Sequence, residues 1–259
     1  MMSDLYIMRW PSNLSAVYVN GATIRYFKNR YVYYANEVMS PGQIICSWYS
    51  ATDYLDSGIA PSLPLLQANK SYELDFRLKS DHALPTQMQI KFYDHQHQII
   101  QSLSDTENHL NFVVPDNTVA YEINLINLKH SWIMFDYLAI REAVNNEPIV
   151  IEKRFKQHYD WIHATEATKI KLQIARLIIS TGPKSLIPIT INHEESVAQI
   201  FVFTDGNELD KLIADLRYTF QHKHYDQIIL SPGVGYYAIA GEITKQIEDE
   251  LNLKREIGG

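Results

Sequence analysis

Ser231-Pro-Gly-Val-Gly235 follows the apolar run Gln227-Ile-Ile-Leu230 and precedes a helix-forming stretch, the strand, sharp turn and helix order of a nucleophile elbow. In G-x-S-x-G the middle serine is presented on a strained turn. Aligning the last glycine on Gly235 puts Gly233 at the nucleophile position, where there is no side chain to attack a substrate. Ser231 takes the first glycine's place, where its hydroxyl is not aimed at a reacting centre. The expectation is a plain tight strand-to-helix connection, weighed against a degenerate hydrolase element and a phosphate-cradling turn. Nucleotide binding is disfavoured, because Gly233-Val-Gly235 lacks both the third glycine of a dinucleotide fingerprint and the lysine of a P-loop. Asp205, ending another apolar run, has the type and place of a triad acid but no serine to activate. Its ordinary role is a turn with Gly206 leading to a helix cap at Asn207.

Two histidine pairs offer weaker chemistry. Asp94-His95-Gln-His97 has two imidazoles and a carboxylate, but they fall in a polar turn and no further ligand is identifiable. His222-Lys-His224 closes a helix, where cationic side chains favour the dipole. Neither implies a metal, and nothing implies a cofactor. Trp48, Tyr49 and Tyr54 lie beside Pro41-Gly42 in a loop-like region, where flat apolar rings could stack on a sugar or meet a partner. Core filling is the competing reading of Trp48. Alternation sends Tyr31 and Tyr33 to one face and Tyr34 to the other, so any exposed remnant there marks a contact surface.

The elements that must position these residues divide the chain unevenly. Residues 1–140 hold 20 of the 30 aromatics. They form short runs with turn residues between them, as in a β-sandwich: 22–27 and 31–34 as a hairpin, then 72–78, 87–93, 110–114, 120–125 and 132–140. Tyr72, Leu74, Phe76 and Leu78 share one face, with Glu73, Asp75 and Arg77 opposite. Residues 141–170 read as a connection containing a helix, with Phe155, Tyr159, Ile162 and Ala167 as its stripe. Residues 171–259 read β, β, β, α, β, α. Their helices begin at Asn207 and Tyr236, which makes a small α/β domain with parallel pairing. The fold class is therefore mainly β, a jelly-roll-like sandwich followed by α/β.

A net charge of -7 disfavours nucleic acid as a partner. The single cysteine, Cys46, and an opening that places Asp4 and Arg9 around a four-residue apolar run suit a cytoplasmic protein.

The order Tyr18-Val-Asn-Gly-Ala-Thr-Ile24, Asn36-Glu-Val-Met-Ser-Pro-Gly42, Ile45, Trp48-Tyr-Ser50, Pro61-Ser-Leu-Pro-Leu-Leu66 and Ile90-Lys-Phe-Tyr-Asp94 resembles the third accessory secretory protein of the Gram-positive accessory Sec system, over about residues 16–140. The resemblance implies a cytoplasmic, non-enzymatic subunit with a carbohydrate-binding-module-like sandwich, at most peripheral at the membrane through its partners. Those partners would be the two other accessory secretory proteins, with the accessory motor ATPase and translocon reached through the complex. Glycosylated serine-rich-repeat preprotein would be the cargo. Cys46 stands where that family commonly has histidine, and the stretch 53–58 lacks its basic residue. The rival from another class is a sugar-modifying acetyltransferase or esterase using the C-terminal domain. A third reading is a free-standing carbohydrate-binding module.

Overall fold

The computed structural model describes residues 2–52, 58–83, 85–143, 149–166, 172–193 and 197–255. In chain order the strands of the first half are β1 (Met2–Met8), β2 (Thr23–Tyr26), β3 (Val32–Ala35), β4 (Ile44–Tyr49), β5 (Ser71–Ser80), β6 (Thr86–Tyr93), β7 (Ile99–Asp105), β8 (His109–Val113), β9 (Ala120–Asn127) and β10 (Trp132–Glu142). The second half holds β11 (Ile149–Phe155), β12 (Tyr159–Glu166), β13 (Ile174–Thr181), β14 (Leu186–Asn192), β15 (Ala198–Thr204), helix α1 (Leu209–Lys223), β16 (Gln227–Pro232), helix α2 (Gly241–Leu251) and β17 (Lys254–Arg255).

The sandwich has a four-stranded sheet, β4-β9-β6-β7, and a seven-stranded one built on β10. One side of β10 pairs with β1 and β3, the other along its length with β5. The alternation in β5 reads directly into the fold: Tyr72, Leu74 and Phe76 are buried while Glu73 and Asp75 lie on the other face. The β2–β3 hairpin closes at 28–30, where Arg30 takes a positive φ and Phe27 N–H bonds the Tyr31 carbonyl. Between the sheets, Trp48, Phe76 and Phe135 form one aromatic cluster with ring centroids 5.6 to 6.4 Å apart. Such rings bury large apolar areas and dominate core energetics.

The two compact units are not continuous in sequence. Residues 3–144 take in 185–189 from the far half, and the other unit comprises 1–2, 145–184 and 190–259. Strand β14 therefore lengthens the seven-stranded sheet at β1, with Ile187 and Ile189 buried. A period-2 apolar run looks the same whichever sheet it joins, so the sequence supplies no sign of this return.

The second unit carries a six-stranded sheet, β11-β12-β15-β13-β16-β17. Its pairing is antiparallel up to β15 and parallel beyond. Leu212, Ile213, Leu216 and Phe220 of α1 and Ile247 of α2 pack with Leu177, Ile179, Ile200 and Val202 of the sheet. The helix expected within 141–170 is corrected here: β11 and β12 form a hairpin, pairing Phe155 with Asp160. Tyr159, Asp160, Trp161 and Ile162 are all buried. A run covered on both faces loses its alternation, and its apolar residues then fit a helical period by accident. Ala167 lies outside the described residues. Helix α1 also starts differently: Glu208 is its N-cap, left-handed and without a side-chain cap bond, and Asn207 instead donates its N–H to Asp205 at 2.8 Å. The second helix begins at Gly241, after a separate 3-10 turn at Tyr236–Ala238.

Candidate functional site

Trp48 is fully buried, and its indole N–H donates to the Arg9 carbonyl at 2.7 Å. Of its two readings the structure selects the core, and no ring face is left for a sugar. Tyr54 lies outside the described residues. Tyr49, next along β4, is half-buried, and its backbone anchors the strap formed by residues 61–66. The Tyr49 carbonyl accepts from Ser62 N–H at 2.8 Å and Leu63 N–H at 3.0 Å, and Tyr121 donates its hydroxyl to the Pro64 carbonyl at 2.7 Å. The strap thus covers the β4 edge at Tyr49, while Val17 and Tyr18 pair with it at Cys46 and Ile45, a usual way of blunting a sheet edge. Beside it is a cavity of about 290 Å³ lined by Arg9, Trp10, Asn13, Ser47, Ile59 and Ser62, among others.

The strand registers bring Tyr49 into a polar face that the sequence reading missed. Tyr49, Glu122, Lys91 and Ser102 lie in one row across the four-stranded sheet, and Ser47, Asn124, Gln89 and Ser104 in the next. Ser47 donates to Asn124 Oδ1 at 2.5 Å, and Asn124 Nδ2 donates to Glu122 at 2.9 Å and to Gln89 at 3.4 Å. Lys91 Nζ is 3.0 Å from the same Glu122 oxygen. Burial, with the neighbouring Glu122 carboxylate and a hydrogen bond to it, holds the Tyr93 phenol above its ordinary range. Ser47 and Asn124 are buried within this network, so the half-buried Gln89, Lys91 and Glu122 are the groups that can exchange hydrogen bonds with a polyol or a polar partner surface. The signal was present in Gln87-Met-Gln-Ile-Lys-Phe-Tyr93, whose outward positions are all polar.

In the second unit, β16 delivers Ser231 buried within the sheet, level with Ile178. The turn after it is clamped: Gly233 N–H bonds the Ile179 carbonyl at 2.8 Å and Thr181 N–H the Val234 carbonyl at 3.2 Å. A Cβ on Gly233 would stand 2.2 Å from Ser180 Oγ and 2.8 Å from the Ile179 carbonyl oxygen. No nucleophilic side chain fits there as the turn stands. Gly235 has φ +75°, and a Cβ would meet Thr181 Oγ1 at 2.5 Å. Gly233 is thus required by the close approach of the Ile179 backbone and Ser180 side chain, and Gly235 by its left-handed φ against the Thr181 side chain.

Asp205 has a partner that the sequence reading did not name. His158, in the β11–β12 turn, places Nδ1 3.0 Å from Asp205 Oδ2, and Asp205 N–H bonds the His158 carbonyl. Burial pushes the Asp205 carboxyl up, but the bonds from His158 and Asn207 outweigh it and hold it below the usual carboxylate range. This is the acid–imidazole half of a triad, at the end of a sheet strand. The misread hairpin hid it. Asp94, in the other histidine motif, accepts the Gln96 and Gln98 N–H groups at 2.8 and 3.0 Å as an ordinary turn. His222 stacks on Tyr218 at the end of α1.

Two face-to-face sheets with a buried aromatic centre and a hydrogen-bonded polar outer face make the first unit a β-sandwich, joined in one chain to an α/β unit. Residues 17–142, just under half of the chain, match the model of the family described as accessory Sec secretory system ASP3. An accessory Sec system protein of Streptococcus gordonii is 26% identical over 127 residues, covering 49% of this chain and 80% of that protein. A Staphylococcus aureus counterpart is 27% identical over 133 residues, covering 49% of this chain and 42% of its own length. Among solved structures, a chain from the crystal structure of accessory secretory protein 1, 2 and 3 of Streptococcus pneumoniae superposes with a TM-score of 0.50 at 22% identity. That match covers 52% of this chain and 94% of that one. A chain of the glycosylation associate protein complex of Streptococcus agalactiae superposes with a TM-score of 0.53 at 18% identity over 93% of this chain and 75% of that one.

Proposed function

We propose that this chain is a non-catalytic subunit of an accessory Sec export complex. In this reading the sandwich docks the two other accessory secretory proteins and helps hold glycosylated preprotein, and the motor ATPase and translocon are reached through the complex in the cytoplasm. The family match over 17–142 carries the proposal, together with relatives whose structures are described as complexes. Tyr49 and the half-buried polar groups around Glu122 and Lys91 supply the contact surface for partner or glycan. Tyr54, outside the described residues, belongs to the same proposed contact. Co-purification tests it with the full-length chain, because a cut after the sandwich would remove β14 and uncover β1. Wild type should recover both other accessory secretory proteins, and Tyr49→Ala with Lys91→Ala should recover less at an unchanged unfolding midpoint. Failure of the wild type to recover either protein overturns the export reading.

The His158–Asp205 pair favours one rival, a sugar-modifying acetyltransferase or esterase in the α/β unit. That reading requires acyl transfer or ester hydrolysis by the purified chain that disappears in both His158→Ala and Ser231→Ala.

A further inference from the structure

Among residues 5–36 there is no Asp or Glu in a chain that carries 30 of them, and three of the four cations in that stretch, Arg25, Lys28 and Arg30, gather on the β2–β3 hairpin. Of the tyrosines read for an exposed remnant, Tyr31 and Tyr33 are half-buried and Tyr34 fully buried; the exposed aromatics at this turn are instead Tyr26, 58% exposed, and Phe27, 45% exposed. Asp136 of β10 is hydrogen-bonded to Tyr31 beside this hairpin. Arg25 is fixed over the Tyr33 ring at 5.8 Å, which in turn stacks on Trp132 at 6.1 Å, so the cations stand on a packed platform.

We propose that the β2–β3 hairpin is a docking surface for an anionic lipid bilayer. Its cations would face the headgroups, with Tyr26 and Phe27 seated at the interface, where aromatic rings with one wet side are favoured. Charge complementarity selects this occupant over the alternatives. β2 is an open sheet edge, but it has only four residues and carries a charge, the features that discourage addition of another strand. Three cations on a chain of net charge -7 are too few for the run of phosphate contacts that nucleic-acid binding uses. No helix among the described residues is long and apolar enough to cross a membrane, so contact through a helical span is not offered by them.

The test sediments the full-length chain with vesicles of phosphatidylcholine alone and of equal parts phosphatidylcholine and phosphatidylglycerol. Binding should appear only with the anionic vesicles and fall as salt is raised, because the attraction is screened. Lys28→Ser should weaken it about fivefold, Lys28→Glu more, and Phe27→Ser should weaken it without changing the salt dependence. Lys28 and Phe27 are exposed, and an unchanged unfolding midpoint confirms that each variant is folded. The proposal is overturned if anionic vesicles bring down no protein, if neutral vesicles bring down as much, or if Lys28→Glu binds like wild type. Capture of an acidic protein through this hairpin without vesicle binding overturns it as well.

Discussion

In the sandwich the side chain best suited to stacking on a ligand, Trp48, sits between the sheets, and the surface is left to a row of modest polar groups around Tyr49 and Glu122. In the α/β unit the arrangement is reversed. The acid and imidazole His158 and Asp205 stay partly exposed at a strand end, while the position where a nucleophile would stand is filled by backbone approach at Gly233. Both regions began as candidate sites with one conspicuous residue type, and in both packing removed that residue from reach. A binding surface survives the loss, because many weak hydrogen bonds add along a face. A catalytic site does not survive it, because the reaction needs the one missing atom. That asymmetry is why a binding role is proposed for the sandwich and no catalytic role for the turn.

The largest effect should come from breaking the sandwich side of this contrast. Trp48→Ala removes a ring packed on Phe76 and Phe135 and its bond to the Arg9 carbonyl, and should cost roughly 3–5 kcal/mol. Denaturant unfolding should show a large fall in midpoint, whereas Tyr49→Ala leaves the midpoint nearly in place. A Trp48→Ala variant of wild-type stability would return Trp48 to the contact surface.

Acid should expose a feature of the α/β unit next. Burial pulls the His163 imidazole from 6.5 down to about 4, with Tyr225 hydroxyl 2.9 Å from its Nε2. The unfolded chain binds that proton at higher pH than the folded one, so stability is complete above pH 6.5 and falls as pH drops toward 4. The shift sets an order-of-magnitude ceiling of about 3 kcal/mol. His163→Gln should remove that slope from unfolding curves taken between these limits, and an unchanged slope would assign it elsewhere.

The turn comes third. Gly233→Ser forces a Cβ against Ser180 Oγ and the Ile179 carbonyl, and overpacking of this kind costs roughly 1–3 kcal/mol. The variant should lose stability and show no esterase activity. A stable, active Gly233→Ser enzyme would mean that His158 and Asp205 had needed only their serine.

How far these sites could be read beforehand depended on what each residue's surroundings demand. The β5 alternation was legible because one face of the strand meets water and a half-buried strand writes its orientation into polarity, and the β2–β3 turn because Lys28-Asn-Arg30 breaks two aromatic-rich runs. The β11–β12 hairpin was illegible because Tyr159, Asp160, Trp161 and Ile162 are covered on both sides, and with it went His158. Gly233 was readable as a missing nucleophile, but the contact that makes glycine obligatory comes from Ser180, more than 50 residues earlier. The polar rows around Glu122 needed the register of four strands, which no single run specifies.

The smallest effect tests whether the His158–Asp205 pair is structural. The Asp205 carboxyl titrates below its ordinary value when folded, so its contribution is present above the unfolded carboxylate range and is lost as pH falls through it. Because its side chain is 37% exposed and that of His158 27%, solvent screens the pair, and its worth should stay within about 1 kcal/mol. Asp205→Asn should therefore lower stability slightly at neutral pH and converge on wild type in acid. His158→Ala should do the same, since each removes the same contact. If the two variants together lose no more than either alone, the pair acts as one structural unit fixing the start of α1. Chemistry at this strand end would require a nucleophile brought by another molecule, and Asp205→Asn would then change a rate while leaving the unfolding midpoint where it was.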